Sequence, residues 1–256
     1  MRFASLGSGS RGNSTLVDSG KTTLMIDCGF SRREVERRLS NLNFLAEQLD
    51  AILVTHEHSD HISGVVSLAD KFDIAVYATH GTVRASSLSA VSHLVRFNAG
   101  EQFFIGDILV QSVSVPHDSL EACQYSLSVE GSTLGILTDL GFVTKHVEEV
   151  FKCCDSLILE FNHDHNLLQN GPYPAKLKNR ISGEMGHLSN IQAANFVTKI
   201  VRDGFNLMVA HVSEKNNTRE IIMKSLEFVN HLPNCEVFFA EQDVVSGWLG
   251  VSKQGK

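Results

Sequence analysis

Little in this chain ties it to an oxidising compartment, a membrane or a nucleic-acid coat. Its five cysteines (Cys28, Cys123, Cys153, Cys154 and Cys235) are odd in number and follow no framework spacing. Cys153 and Cys154 are adjacent, so they do not make the usual two-residue-spaced metal pair. All five read as reduced, mostly buried thiols. No apolar run approaches the roughly 20 residues needed to span a bilayer. The segment Met1 to Gly7 lacks the apolar stretch of a secretion signal, so the expected location is cytoplasmic. A net charge of -7 argues against nonspecific coating of nucleic acid. It leaves room for a nucleic-acid substrate at a local, metal-loaded site. No linker, low-complexity segment or repeat divides the chain. Its 256 residues at 43% hydrophobic content suit a single α/β domain over 1–256.

Histidine is what the chain has in excess, with twelve residues. Three of them fall in Thr55-His56-Glu57-His58-Ser59-Asp60-His61. Ala51 to Val54, just before, reads as a buried strand, and Ile62 to Phe72 has near-helical apolar spacing. The cluster therefore sits on a loop at a strand's C-terminal end, where side chains can converge while the strand holds the backbone. Neutral imidazoles with carboxylates suit zinc, manganese or iron.

Elsewhere short apolar strands alternate with turns and helices. Strands are expected at Phe3–Leu6, Ser14–Asp18, Lys21–Asp27, Ile74–Ala78, Leu94–Phe97, Glu101–Ile105, Ile108–Val115, Cys123–Glu130 and Thr133–Thr138. Further strands follow at Ser156–Glu160, Leu207–Val212 and Cys235–Ala240. Helices are expected over Arg32–Leu42, Thr79–Ser89, Phe142–Cys153, Asn190–Asp203 and Asn217–His231, with short helical pieces in the polar Asn162–Arg180 segment. The four arginines of Arg32–Leu42 read as a solvated face balanced by Glu34 and Glu36. Gly7 to Asn13 is a glycine-rich loop without the Gly-Lys-Ser/Thr ending of a phosphate-binding loop, and a plain hairpin turn explains it as well as a ligand contact does. The pattern fits two packed sheets with helices outside, a four-layer αββα sandwich.

One loop cannot fill two metal sites. His117 follows the strand ending Val113-Ser114-Val115, Asp139 follows Gly135 to Thr138, and His211 closes Leu207 to Ala210. Each alone reads as a turn or cap residue as easily as a ligand. Beside the first cluster the three make a set.

In this order, His-x-His-x-Asp-His, a His, Thr-Asp-x-Gly and a strand-terminal His, the chain resembles the metallo-β-lactamase superfamily. The resemblance implies that His56, His58 and His117 bind one metal, that Asp60, His61 and His211 bind a second, and that Asp139 bridges them. A narrower likeness rests on Ser5-Leu6-Gly7-Ser8-Gly9-Ser10-Arg11-Gly12-Asn13, Leu159-Glu160-Phe161-Asn162-His163-Asp164, Gly171-Pro172-Tyr173-Pro174, Leu177-Lys178-x-Arg180-Ile181 and Gly186-His187-Leu188-Ser189-Asn190. These look like the bacterial YycJ/WalJ (VicX) subfamily, which implies a 5′-to-3′ DNA exonuclease. The subfamily often has Ser where Phe161 stands.

The expected chemistry is hydrolysis by a hydroxide shared between two divalent ions, zinc or manganese with iron also suited, with Asp60 or Asp139 orienting it and taking its proton. That mechanism serves esters, lactams and phosphodiesters alike. The substrate must be named by the Asn162 to Asn190 region. There His187, or one of Lys176, Lys178 and Arg180, is expected to stabilise the negative transition state, His187 also to protonate the leaving oxygen, and Asn162, His163 and His187 to contact a DNA or RNA substrate. The alternative is a glyoxalase-II-like thioesterase or a lactonase, which would share all seven ligands.

Overall fold

Period-two alternation of apolar side chains builds two seven-stranded sheets in a computed structural model that describes residues 1–232 and 234–251. Pro233 and 252–256 of the expected domain lie outside the described residues. The first sheet holds β1 (Arg2–Gly7), β2 (Ser14–Asp18), β3 (Thr23–Ile26), β4 (Ala51–Leu53), β5 (Ala75–Thr79) and β6 (Leu94–Phe97). Strands β1 to β3 are antiparallel, and β3 to β6 are parallel. The second sheet holds β7 (Gln102–Ile105), β8 (Ile108–Ser114), β9 (Cys123–Val129), β10 (Ser132–Leu137), β11 (Ser156–Glu160), β12 (Asn206–Ala210) and β13 (Glu236–Phe239). It runs antiparallel from β7 to β10 and parallel from β10 to β13. A short β14 (Leu249–Gly250) returns to pair with β1.

Helices fill the connections. They are α1 (Arg32–Ser40), α2 (Ser59–Ile62), α3 (Val65–Phe72), α4 (His80–Arg84), α5 (Lys145–Phe151), α6 (His165–Asn170), α7 (Ala175–Ile181), α8 (Asn190–Ile200) and α9 (Arg219–Ser225). Among the described residues no helix is long and apolar enough to cross a membrane.

Successive strand residues enter different cores, because their side chains point to opposite sheet faces. Leu24 and Ile26 of β3 join Leu53, Tyr125, Ile158 and Met208 between the sheets. Met25 instead meets Val35 and Leu39 of α1 and Leu68 of α3. In the second sheet Leu157 and Leu159 face Phe151, Val197 and Ile222, from α5, α8 and α9. Three apolar layers thus separate four structural ones, and the expected αββα sandwich is the observed fold.

Several details differ from the sequence reading. The helix expected over Asn217–His231 stops at Ser225, and a 3-10 turn covers Glu227–His231. Thr79–Ser89 breaks after α4 because Ser86 caps a separate turn, its hydroxyl accepting from Leu88 N. Helix α5 starts at Lys145 rather than Phe142, since the Thr144 hydroxyl accepts from Val147 N and caps it. The α1 arginines are not all solvated. Arg38 is buried, lies over the Phe30 ring, and donates to Leu6 O at 2.6 Å and Gln242 O at 2.9 Å, so it ties α1 to the end of β1. Cys153 is exposed and Cys235 half-buried, while the other three cysteines are buried.

Candidate metal centre

The parallel strands β3, β4, β10, β11 and β12 deliver their C-terminal residues to one end of the sandwich. Three of these residues, Asp27, Asp139 and His211, have left-handed backbone, with φ of 59°, 55° and 48°. Asp and His tolerate that conformation better than β-branched residues do. It turns each side chain sharply off its strand toward a common point.

Seven side chains meet there. Ligand-type atoms of His56, His58 and His117 lie within 4.8 Å of one another, as do those of Asp60, His61 and His211. Asp139 sits between the groups. Its Oδ2 is 3.4 Å from His61 Nε2 and its Oδ1 3.5 Å from His211 Nε2. It also forms a cluster of its own with His56 and His61. All seven residues expected as metal ligands are therefore brought together.

The rings are oriented from behind. Asp27, buried below them, accepts from Thr55 N and Thr55 Oγ1, both at 2.8 Å, and from His61 Nδ1 at 2.7 Å. Thr55 Oγ1 in turn accepts from His56 Nδ1 at 3.0 Å. Gly186 O accepts from His117 Nδ1 at 3.1 Å. These three rings thus spend Nδ1 on the protein and keep Nε2 for the centre. His58 is reversed: its Nε2 reaches Asp118 O at 3.2 Å, and its Nδ1 faces His117. A hydrogen bond on one ring nitrogen decides which lone pair the other presents.

The centre fits cations on two grounds. His56 Nε2, Asp139 Oδ2 and His211 Nε2 are buried without a hydrogen-bond partner, which is costly unless something else binds them. The local charge also calls for positive partners. Burial disfavours the His61 imidazolium, yet Asp139 and Asp27 outweigh it and hold its pKa well above the histidine range. At His211 burial is likewise overcome, by Asp139 with Asp60 and Glu160, and the pKa rises to about 10. Burial, then His61, pushes His56 well below the usual range. Asp139 is held well below the carboxylate range, because neighbouring imidazoles (His211 first) outweigh its burial. A mixed His/Asp donor set of this kind suits divalent metal ions.

Four supporting residues were not singled out from the sequence. Asp27 and Glu160 close apolar strands as Asp139 does, which was the available signal. Glu160 is fully buried. Its Oε1 accepts from Leu140 N at 2.8 Å and Leu188 N at 3.1 Å, and its Oε2 accepts from His187 Nδ1 at 3.0 Å. Asn13 and Ser8 come from the glycine-rich loop. Asn13 Nδ2 donates to Asp60 Oδ2 at 3.1 Å, and Ser8 Oγ accepts from His211 N at 2.9 Å. That loop therefore latches Asp60 and His211 and is more than a hairpin. Gly29 lies beneath Asp60, where an added Cβ would stand 1.7 Å from the Asp60 carbonyl oxygen.

Of the residues expected to meet substrate, His187 and Asn162 line a cavity of about 270 Å³ over the centre. Asn162 Nδ2 also donates to His211 O at 3.1 Å. His163 is only 1% exposed and does not line this cavity. Its carbonyl accepts from Asn190 N at 2.9 Å, and burial depresses its pKa to about 4.

Residues 22–208 match the model of the beta-lactamase superfamily domain. Exodeoxyribonuclease WalJ of Streptococcus pneumoniae serotype 2 is 33% identical over 245 residues, covering 92% of this chain and 90% of that protein. Exodeoxyribonuclease YycJ of Bacillus anthracis is 34% identical over 239 residues, covering 90% of this chain and 89% of that one. Among solved structures, the metallo-beta-lactamase fold protein YhfI from Bacillus subtilis superposes with a TM-score of 0.72 at 16% identity, over 95% of this chain and 98% of that chain. At that identity the likeness is one of fold.

Proposed function

The chain belongs to the beta-lactamase superfamily, and on that premise we propose that it is a metal-dependent exodeoxyribonuclease. The observation that carries this reading is a cluster of His and Asp side chains, gathered beside the strand ends, that could hold metal ions. It lies in a chain that aligns with named exodeoxyribonucleases over 90% or more of its length. Those relatives favour nucleic acid over the thioesterase or lactonase alternative.

In the proposed enzyme His56, His58 and His117 would hold one divalent ion and Asp60, His61 and His211 a second, with Asp139 placed between the two groups. Zinc and manganese suit this donor set, and iron is compatible. When bound, the ions make water acidic enough to attack at neutral pH and polarise the scissile phosphodiester.

The chain's own side chains do the rest. Asp60, steadied by Asn13, or Asp139, fixed at the β10 terminus, would orient the attacking water and accept its proton. Glu160 Oε2 holds His187 Nδ1, which leaves Nε2 to carry a proton to the departing oxygen. Asn162 lines the cavity beside His211 and contacts substrate, while His163 supports that loop from beneath. The five cysteines are unpaired, which fits a reducing compartment, and the proposal places the enzyme in the cytoplasm.

The test is to measure bound metal and compare hydrolysis of 5′-phosphorylated single- and double-stranded DNA, RNA and a panel of thioesters and lactones. The parent should degrade DNA and Asp60→Ala should not. A parent that, saturated with each metal in turn, cleaves only thioesters or lactones would overturn the proposal.

A further inference from the structure

One wall of the cavity over the candidate metal centre comes from the segment around α7. Helix α7 buries none of its residues. Its Leu177, Arg180 and Ile181 line the cavity, together with Tyr173 just before it. Arg180 is the one Lys or Arg among the described residues that line this cavity. Lys178, its neighbour in sequence, instead donates to Gln169 O at 2.7 Å.

Two features prepare this wall. Tyr173 stands between Pro172 and Pro174, two of the four prolines in the chain. Proline fixes its own φ and restricts the residue before it, so little backbone freedom remains to be lost on binding. Lys215 Nζ lies 5.9 Å from the centre of the Tyr173 ring, which puts a second cation beside it. Arg180 is aimed by Asp118, whose Oδ2 accepts from Arg180 Nε at 2.5 Å. That bond uses one of five guanidinium N–H groups. The side chain is 53% exposed, and its remaining donors make no hydrogen bond within the described structure.

We propose that Tyr173 and Arg180 hold one nucleotide of a DNA strand against the metal centre, the ring stacking on a base and the guanidinium binding the adjoining phosphate. Resting on the nuclease reading, this assigns the substrate-selecting wall. An aromatic platform next to a cation is what unpaired nucleotides require, because every base has a π-face and every link a charge. A neutral thioester or lactone would use neither group.

The test is fluorescence anisotropy of a short dye-labelled single-stranded DNA with phosphorothioate linkages, bound to the metal-loaded protein between about 50 and about 200 mM salt. Arg180→Gln should weaken binding about 5- to 10-fold and flatten the log-log salt slope by about 0.7, the value of one lost phosphate contact on a single strand. Arg180→Lys should keep most of that slope. Tyr173→Leu should weaken binding about 5-fold or more with the slope unchanged, and Tyr173→Phe should bind like the parent. The Lys and Phe variants also control for folding. If the parent binds and cleaves DNA while Arg180→Gln and Tyr173→Leu keep its affinity and slope, this inference fails and the nuclease reading stands. If the parent neither binds nor cleaves DNA, both fall.

Discussion

Asp27→Asn separates the orienting of a ligand from the holding of the fold. Asp27 accepts three hydrogen bonds, from Thr55 N, Thr55 Oγ1 and His61 Nδ1. In the Asn variant Oδ1 still receives Thr55 N. Nδ2 replaces the oxygen that faces Thr55 Oγ1 and His61 Nδ1. The hydroxyl can rotate and accept, but His61 must give up its Nδ1 proton and carry one on Nε2. That nitrogen is 3.3 Å from Asp60 Oδ2 and 3.4 Å from Asp139 Oδ2, so the proton fills the lone pair an ion needs. Loss of such a supporting partner typically costs 10- to 100-fold in metal affinity, or about 1.4–2.7 kcal/mol. Folding should change far less. One net hydrogen bond is worth about 1 kcal/mol, and Asn tolerates the left-handed φ of 59°. Asp27→Ala should differ: it orphans several buried donors and should cost about 3 kcal/mol or more. The assay pairs metal competition against a chelating dye with denaturant unfolding of the metal-free protein. Unchanged metal affinity in Asp27→Asn would refute the reasoning.

Gly29→Ala should disturb the metal loop through packing, since the new Cβ meets the Asp60 carbonyl at 1.7 Å. We expect about 1–3 kcal/mol of destabilisation together with reduced bound metal, read by denaturant melts and elemental analysis. His187→Gln should lower kcat about 10²- to 10⁴-fold with bound metal unchanged; loss of metal in step with activity would make His187 a ligand instead. Glu34 supplies a pH test away from the centre. Hydrogen bonds from Arg37 and then Arg38, against some desolvation, lower its pKa from 4.5 to about 2. A depressed carboxylate stabilises the fold above its unfolded pKa and loses that contribution as pH falls through the folded one. Parent and Glu34→Gln should therefore differ in thermal midpoint near neutrality and converge as pH drops from about 4.5 toward about 2.

Strand ends were the most legible feature of the sequence. Thr55, Thr138 and Ala210 precede His56, Asp139 and His211, which the fold does collect, because a polar group closing an apolar strand is locally conspicuous. The same signal stood at Asp27 and Glu160, whose partners lie in remote segments, so their roles could not be read locally. The break of α9 after Ser225 and the burial of Arg38 were hidden for a related reason. Helical spacing continues through the former, and only contact with Leu6 and Gln242 explains the latter.

By itself the sequence pointed to metal-assisted hydrolysis, since the donor types and their order along the chain, which are covalent facts, resemble those of one superfamily. It also determined the layered fold, because period-two burial must be satisfied on both faces of each sheet. Tertiary structure decided which nitrogen each histidine presents. Those choices hang on Asp27, Thr55, Gly186 and Asp118, some of them far along the chain from the ring they orient. It also decided what faces the candidate metal centre. Tyr173 and Arg180 reach the same cavity as Asp60 and Asp139 only because α7 folds across the strand ends. A ligand's lone pair and a cavity's lining are properties of contact between distant segments, and no local pattern encodes them.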